Sequence, residues 1–193
     1  MRRYSTIILT LALTLIALCV QASAQQKNDA PNATQESGFR LKGLDGKFYD
    51  TASMRGDVLV VSFGATWCVP CTWELVAIEE LKEEYAGKPV KFLWVNIEDA
   101  KRTTNNALRY YVKDRRLTIP VLRDPGGVAL AQYEKTGTRV PVMVFFDREG
   151  VFSAPVHNGM SQDIALYKQL VRERVNALLG PQQPKAEPAA ANR

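Results

Sequence analysis

The chain has 193 residues, 46% of them hydrophobic and 23% charged, enough for one domain with a substantial core. Its net charge of +5 falls to about +3 once Arg2 and Arg3 are set aside. That is too mild for nucleic acid, and no basic block or aromatic–basic interleaving is present to hold one.

In chain order, Arg2 and Arg3 form a positive start, followed by an apolar run from Ile7 to Val20 broken only by Thr10 and Thr14. The run is 14 residues long, short of the roughly 20 that cross a bilayer, and Ala22-Ser23-Ala24 follows it as a small-residue cleavage pattern. Residues 1–24 are therefore expected to be a secretory signal, or an anchor if uncleaved. Residues 25–37 are polar and aperiodic, a flexible lead-in. The proline- and alanine-rich residues 180–193 are expected to be a disordered tail, leaving 38–179 as the folded unit.

Within that unit, Phe39-Arg40-Leu41 and Lys47-Phe48-Tyr49 flank a turn from Gly43 to Gly46, a short hairpin. Asp57 to Gly64 is a continuous valine-rich run, the mark of a strand buried on both faces. Leu75, Ile78, Leu81 and Tyr85 then recur at helical spacing, with Glu79, Glu80, Glu83 and Glu84 opposite. A second buried strand covers Val90 to Ile97. Thr103 or Thr104 caps a helix running to Arg116, and Ile119 to Leu122 is a short strand. Asp124-Pro125 reads as a helix start, with that helix ending near Gly137. Val142–Phe146 and Val151–Val156 flank the turn Asp147–Gly150. Ser161 is the expected cap of a last helix carrying Ile164, Tyr167, Leu170, Val171, Val175 and Leu178. Alternating strands and helices that end in a hairpin predict an α/β sandwich with a mixed sheet.

Three cysteines are present, and Cys19 lies in the expected signal. The remaining pair, Cys68 and Cys71, closes too small a loop to be a useful staple, so an exported chain that keeps only this pair is expected to use it for chemistry. A strand running through Cys-x-x-Cys into a helix puts the first sulfur at the helix N-terminus. Unpaired N–H groups and the helix dipole there favour a thiolate and lower the thiol pKa from about 8.5 towards about 7. Cys68 is then the nucleophile in disulfide exchange, and Cys71, nearly one turn on, the resolving thiol. Zinc needs four ligands, and only these two cysteines and His157 are on offer. A copper site from the same three residues is the alternative kept open. His157 itself reads as a strand-end surface residue. Glu74, three residues after Cys71 on the same helical face, is either a proton acceptor for Cys71 or a solvated glutamate like its neighbours.

Phe63-Gly64-Ala65-Thr66-Trp67-Cys68-Val69-Pro70-Cys71 resembles the active-site signature of the thioredoxin superfamily, and the whole folded unit is similar to the exported TlpA/ResA-like branch. That resemblance implies a three-layer α/β/α sandwich with an N-terminal β-hairpin. It also implies a central strand–helix insertion, here the helix from Thr103 to Arg116 and the strand at Ile119. It implies a Cys68–Cys71 disulfide and a cis-proline loop at Val140-Pro141 that, with Trp67, binds an extended partner segment. Val69 and Pro70 form the loop between the sulfurs, and Glu74 assists proton transfer. Ordinary thioredoxins carry a buried aspartate where this chain has Ser62, which favours Glu74 in that role. The resemblance further implies a protein disulfide oxidoreductase, with a reductase of the bacterial periplasm favoured, and no cofactor. Its partners would be disulfide-containing exported proteins and a membrane thiol electron donor, in cytochrome c maturation or cytochrome oxidase assembly. The alternative is a copper-binding or metal-delivery module on the same fold.

Overall fold

The computed structural model describes residues 38–135 and 139–180. The expected signal, lead-in and most of the tail lie outside the described residues. Seven strands form one sheet: β1 (Arg40–Gly43), β2 (Phe48–Asp50), β3 (Val58–Gly64), β4 (Val90–Asn96), β5 (Val121–Arg123), β6 (Val142–Phe146) and β7 (Phe152–Asn158). Their order is β2-β1-β5-β4-β3-β6-β7. β3, β4 and β5 run parallel, while β1, β6 and β7 each pair antiparallel with their neighbours. The α-helices are α1 (Val69–Glu84), α2 (Asn105–Asp114) and α3 (Ile164–Leu179). Among the described residues, no helix is long and apolar enough to cross a membrane.

The apolar run at β3 is buried at every position, because it lies between β4 and β6 with both faces covered. Alternate residues serve alternate faces. Val58 and Val60 join Leu75, Ile78 and Leu81 of α1, Leu108 of α2, and Tyr167, Val171 and Val175 of α3 in one core. Leu59, Val61 and Phe63 join Leu93, Val95, Val144, Phe146, Phe39 and Leu130 in the other. The glutamates opposite the apolar stripe of α1 also hold the helices together: Glu80 pairs with Lys168 and Glu84 with Arg172, both on α3.

The expected sandwich, hairpin and central insertion are all present, with β5 seated between β4 and β1. Two local expectations are corrected. Among the described residues, no α-helix starts at Asp124-Pro125. Gly126 and Gly127 adopt φ of 85° and 71°, a left-handed conformation that a helix cannot continue through. The chain instead turns into a short 3-10 segment, Leu130–Gln132. Asp124 still caps, but over a wider turn: its carboxylate, 2% exposed, accepts from the N–H groups of Ala129 and Leu130 at 3.0 Å. All three α-helices therefore pack on one core, and the second outer layer is built of 3-10 turns and loops. The cap of α3 is Asp163, which accepts from Leu166 N–H at 3.0 Å, while Ser161 Oγ accepts from the backbone of Asp163 at 3.1 Å. Asp163 wins because it directly precedes the first helical residue.

Asp124→Ala leaves buried N–H groups without an acceptor and is expected to destabilise the domain by about 2 kcal/mol. Urea unfolding should show this as a lower midpoint at unchanged slope; an unchanged midpoint would show that the turn holds without its cap.

Candidate active site

β3 ends at Gly64, and the loop Ala65-Thr66-Trp67 carries the chain straight into α1. Cys68 is the N-cap of that helix, with φ −84° and ψ 104°, and its Sγ accepts from the backbone N–H of Cys71 at 3.2 Å. Pro70 occupies the first turn, where its missing N–H is no loss. Cys68 and Cys71 are joined in a disulfide with their Cα atoms 5.2 Å apart. Cys71 is fully enclosed, whereas Cys68 keeps 4% of its surface exposed. The outer sulfur thus sits against a helix N-terminus, where partial positive charge favours an anion.

Across from it, Cys68 Sγ lies 3.5 Å from the carbonyl oxygen of Val140, and the Val140–Pro141 peptide is cis. Trp67, 66% exposed, borders a groove of about 510 Å³ with Glu134, Arg139, Val140, Pro141 and Asn158. Val69 and Pro70 are exposed on the rim. The structure therefore gathers Trp67, Cys68, Val69, Pro70, Cys71, Val140 and Pro141 at one end of the sheet.

Glu74 is not a solvated helix glutamate. Its carboxylate has no exposed surface and accepts from Ser62 Oγ at 2.5 Å and from Tyr167 OH at 2.6 Å. Burial pushes its pKa up from 4.5 to about 7, against the opposing pull of those two hydrogen bonds. Burial, and then Glu74 itself, holds the Tyr167 phenol well above the ordinary tyrosine range, so Tyr167 remains a donor. His157 is half-buried, with its ring edge-to-face on Tyr167 at 5.3 Å, and burial lowers its pKa. It faces inward onto this polar cluster, which corrects its reading as a plain surface residue. Among the described residues, no three His, Cys, Asp or Glu side chains gather as a metal site.

Glu98 escaped the sequence reading. Its carboxylate accepts from Thr66 N–H at 2.7 Å, Thr66 Oγ1 at 3.0 Å, Asn96 Nδ2 at 2.6 Å and Thr103 Oγ1 at 2.7 Å. Burial acts to raise its pKa, but these donors outweigh it and hold the group below the usual glutamate value. Arg123 braces the cluster, donating to Asn96 Oδ1 at 2.7 Å and to the carbonyl of Thr103 at 2.9 Å. Thr66, two residues before Cys68, is thereby fixed from the ends of β4 and β5. The available signal was a glutamate just past a buried strand, which by pattern alone is loop.

A disulfide that opens a helix at the end of the central strand, beside the Val140-Pro141 loop, defines a thiol–disulfide oxidoreductase. The chain belongs to the Redoxin family, whose model matches residues 25–159, and within the thioredoxin superfamily it is TlpA/ResA-like. It is 32% identical over 125 residues to the thioredoxin-like protein YneN of Bacillus subtilis, covering 65% of this chain and 70% of that one. It is 28% identical over 122 residues to the thiol-disulfide oxidoreductase ResA of Bacillus cereus, covering 63% of this chain and 64% of ResA. Among solved structures, it superposes with a TM-score of 0.63 on a putative thiol:disulfide interchange protein DsbE from Chlorobium tepidum. That match has 22% identity and covers 74% of this chain and 94% of that one.

Between about pH 4.5 and pH 7, folded Glu74 holds a proton that an unfolded glutamate has released, so stability falls as pH rises through that window and then levels. Glu74→Gln is expected to remove about 3 kcal/mol of that fall, measured by urea unfolding across pH. An unchanged slope would show that the carboxyl titrates as a solvated group.

Proposed function

We propose that this chain works in the bacterial cell envelope as a reductase for disulfides of selected exported proteins, recharged by a membrane thiol donor. The observation that carries this reading is a fully buried carboxyl, Glu74, on the helix turn directly after the buried sulfur of the Cys68–Cys71 disulfide. The Cys68 thiolate attacks a substrate disulfide; one substrate sulfur leaves as a thiolate and takes a proton, and a Cys68–substrate disulfide remains. Glu74 then accepts the Cys71 proton. Cys71 attacks Cys68 Sγ, the internal disulfide forms, and the second substrate thiolate departs. Two electrons have passed to the substrate, and the donor dithiol returns them.

Trp67 and the Val140-Pro141 loop hold the substrate segment. The carbonyl of Val140, 3.5 Å from Cys68 Sγ, offers a backbone acceptor of the kind used in strand addition. Val69 and Pro70 restrain the loop and help to set the redox poise. The expected signal peptide supports an envelope location. So does 29% identity to a pneumococcal exposed lipoprotein thioredoxin, Etrx1 of Streptococcus pneumoniae, with a TM-score of 0.56 and covering 70% of this chain and 98% of that one. The resemblance to the TlpA/ResA-like branch makes cytochrome c maturation and cytochrome oxidase assembly the candidate pathways.

Redox titration of the pair, read by thiol alkylation, is expected to give a potential nearer thioredoxin, about −270 mV, than DsbA, about −120 mV. A strongly oxidising value would overturn the reductase assignment. Alkylation of the reduced protein should show Cys68 reacting faster at neutral pH than free cysteine, and equal rates would remove the activated nucleophile.

A further inference from the structure

Trp94 lies on β4, directly across from Ser62 on β3. Its side chain has no exposed surface, yet its indole Nε1 has no hydrogen-bond partner among the described residues. Buried donors without partners are rare in native proteins, and each one calls for a physical reason. The ring cannot readily swing away to find an acceptor. It stacks on Tyr111 of α2, with centroids 5.7 Å apart and planes 26° apart, and Tyr111 OH is held 3.2 Å from Thr72 Oγ1 on α1.

Gly64 marks what lies beside the indole nitrogen. A Cβ placed on Gly64 would lie 2.6 Å from Trp94 Nε1 and 3.3 Å from Cys71 Sγ. The indole nitrogen and the inner sulfur therefore flank one small space, which glycine alone leaves open. In the disulfide, that sulfur is a weak acceptor. As a thiolate it carries a full negative charge, and charge-assisted hydrogen bonds are the strong ones.

We propose that the Trp94 indole N–H is the hydrogen-bond donor that stabilises the Cys71 thiolate. The inference rests on the reading of Cys71 as the resolving thiol. Glu74 accepts the proton from Cys71, and Trp94 supports the charge left behind without giving up its own proton. Cys71 Sγ then forms its bond to Cys68 Sγ, the Cys68–substrate bond breaks, and the substrate sulfur leaves with the electron pair. Once the charge on Cys71 is consumed, the indole donor again faces a weak acceptor. The titratable groups in this neighbourhood include Tyr111 on α2, stacked on the indole, Glu74 on α1, hydrogen-bonded to Tyr167 on α3, and His157 on β7, edge-to-face on Tyr167. Cys68 at the helix N-terminus has the backbone for its anion, whereas Cys71, inside the helix, relies on side chains.

The test follows the indole N–H resonance of Trp94 by NMR in the whole protein labelled with ¹⁵N-tryptophan. The resonance is distinguished from those of Trp67 and Trp73 by its loss in Trp94→Phe. In the reduced protein it should move downfield as Cys71 ionises, and it should stay still in the oxidised protein and in Cys71→Ser. Trp94→Phe keeps an aromatic ring in the core but removes the N–H together with the pyrrole half of the indole, so it should raise the Cys71 pKa by about one unit, a tenfold smaller thiolate fraction at a given pH. An indole resonance indifferent to reduction, or a Cys71 pKa unmoved in a folded Trp94→Phe, would overturn the proposal. If that variant does not fold, assignment through labelled neighbours lets the wild-type titration decide alone. Cys71→Ser separates the two readings. If it accumulates no mixed disulfide with substrate, the resolving role itself fails. If mixed disulfide accumulates in that variant while the wild-type indole resonance is indifferent to reduction, the Trp94 role alone is rejected.

Discussion

The position of β3 between a parallel and an antiparallel neighbour determines most of what surrounds the sulfurs. β4 and β6 satisfy its backbone on both edges, and the two cores cover both of its faces. A strand so enclosed has few ways to shift, because a slip of one residue would send its valines to the wrong core. Its C-terminal end is therefore a fixed point in the molecule, and Cys68 lies four residues beyond it. Glu98 and Arg123 extend that rigidity outward by holding Thr66 from the ends of the adjacent strands. A disulfide exchanger needs this, since attack along the sulfur–sulfur axis tolerates little misplacement.

Much of this was legible in the residues. The all-apolar β3, the motif opening α1 and the helical stripe through Leu75, Ile78 and Leu81 all fell where the patterns put them, because each pattern has a single economical burial. The failures share a different cause. Asp124-Pro125 carries a good helix start, but the two glycines that follow take left-handed backbone, and tertiary closure over Leu130 overrides the local signal. Ser161 and Asp163 both have capping side chains, and only the geometry of the turn decides between them.

The polar features of the site were the hardest to read, and for one reason. Spacing assigns a residue to a helix face, but enclosure depends on what another element brings to that face. Glu74 shares a helix with Glu79 and Glu80, and a linear pattern treats the three alike. Tyr167, contributed by α3 more than ninety positions later in the chain, closes over Glu74 and not over the others. Ser62 gains its meaning in the same way: it replaces an acid in the strand, and its hydroxyl reaches the acid that the helix supplies instead.

The sheet's two margins are also unlike its centre. β2 has three residues, and β7 pairs with β6 through a register shift and carries the exposed Pro155. A short margin on one side and an interrupted, proline-bearing one on the other give a foreign strand little to zip onto. The carbonyl of Val140 is instead left beside the outer sulfur, 3.5 Å from Cys68 Sγ. Promiscuous lateral association is discouraged at both borders, so encounters productive for electron exchange need not compete with clumping.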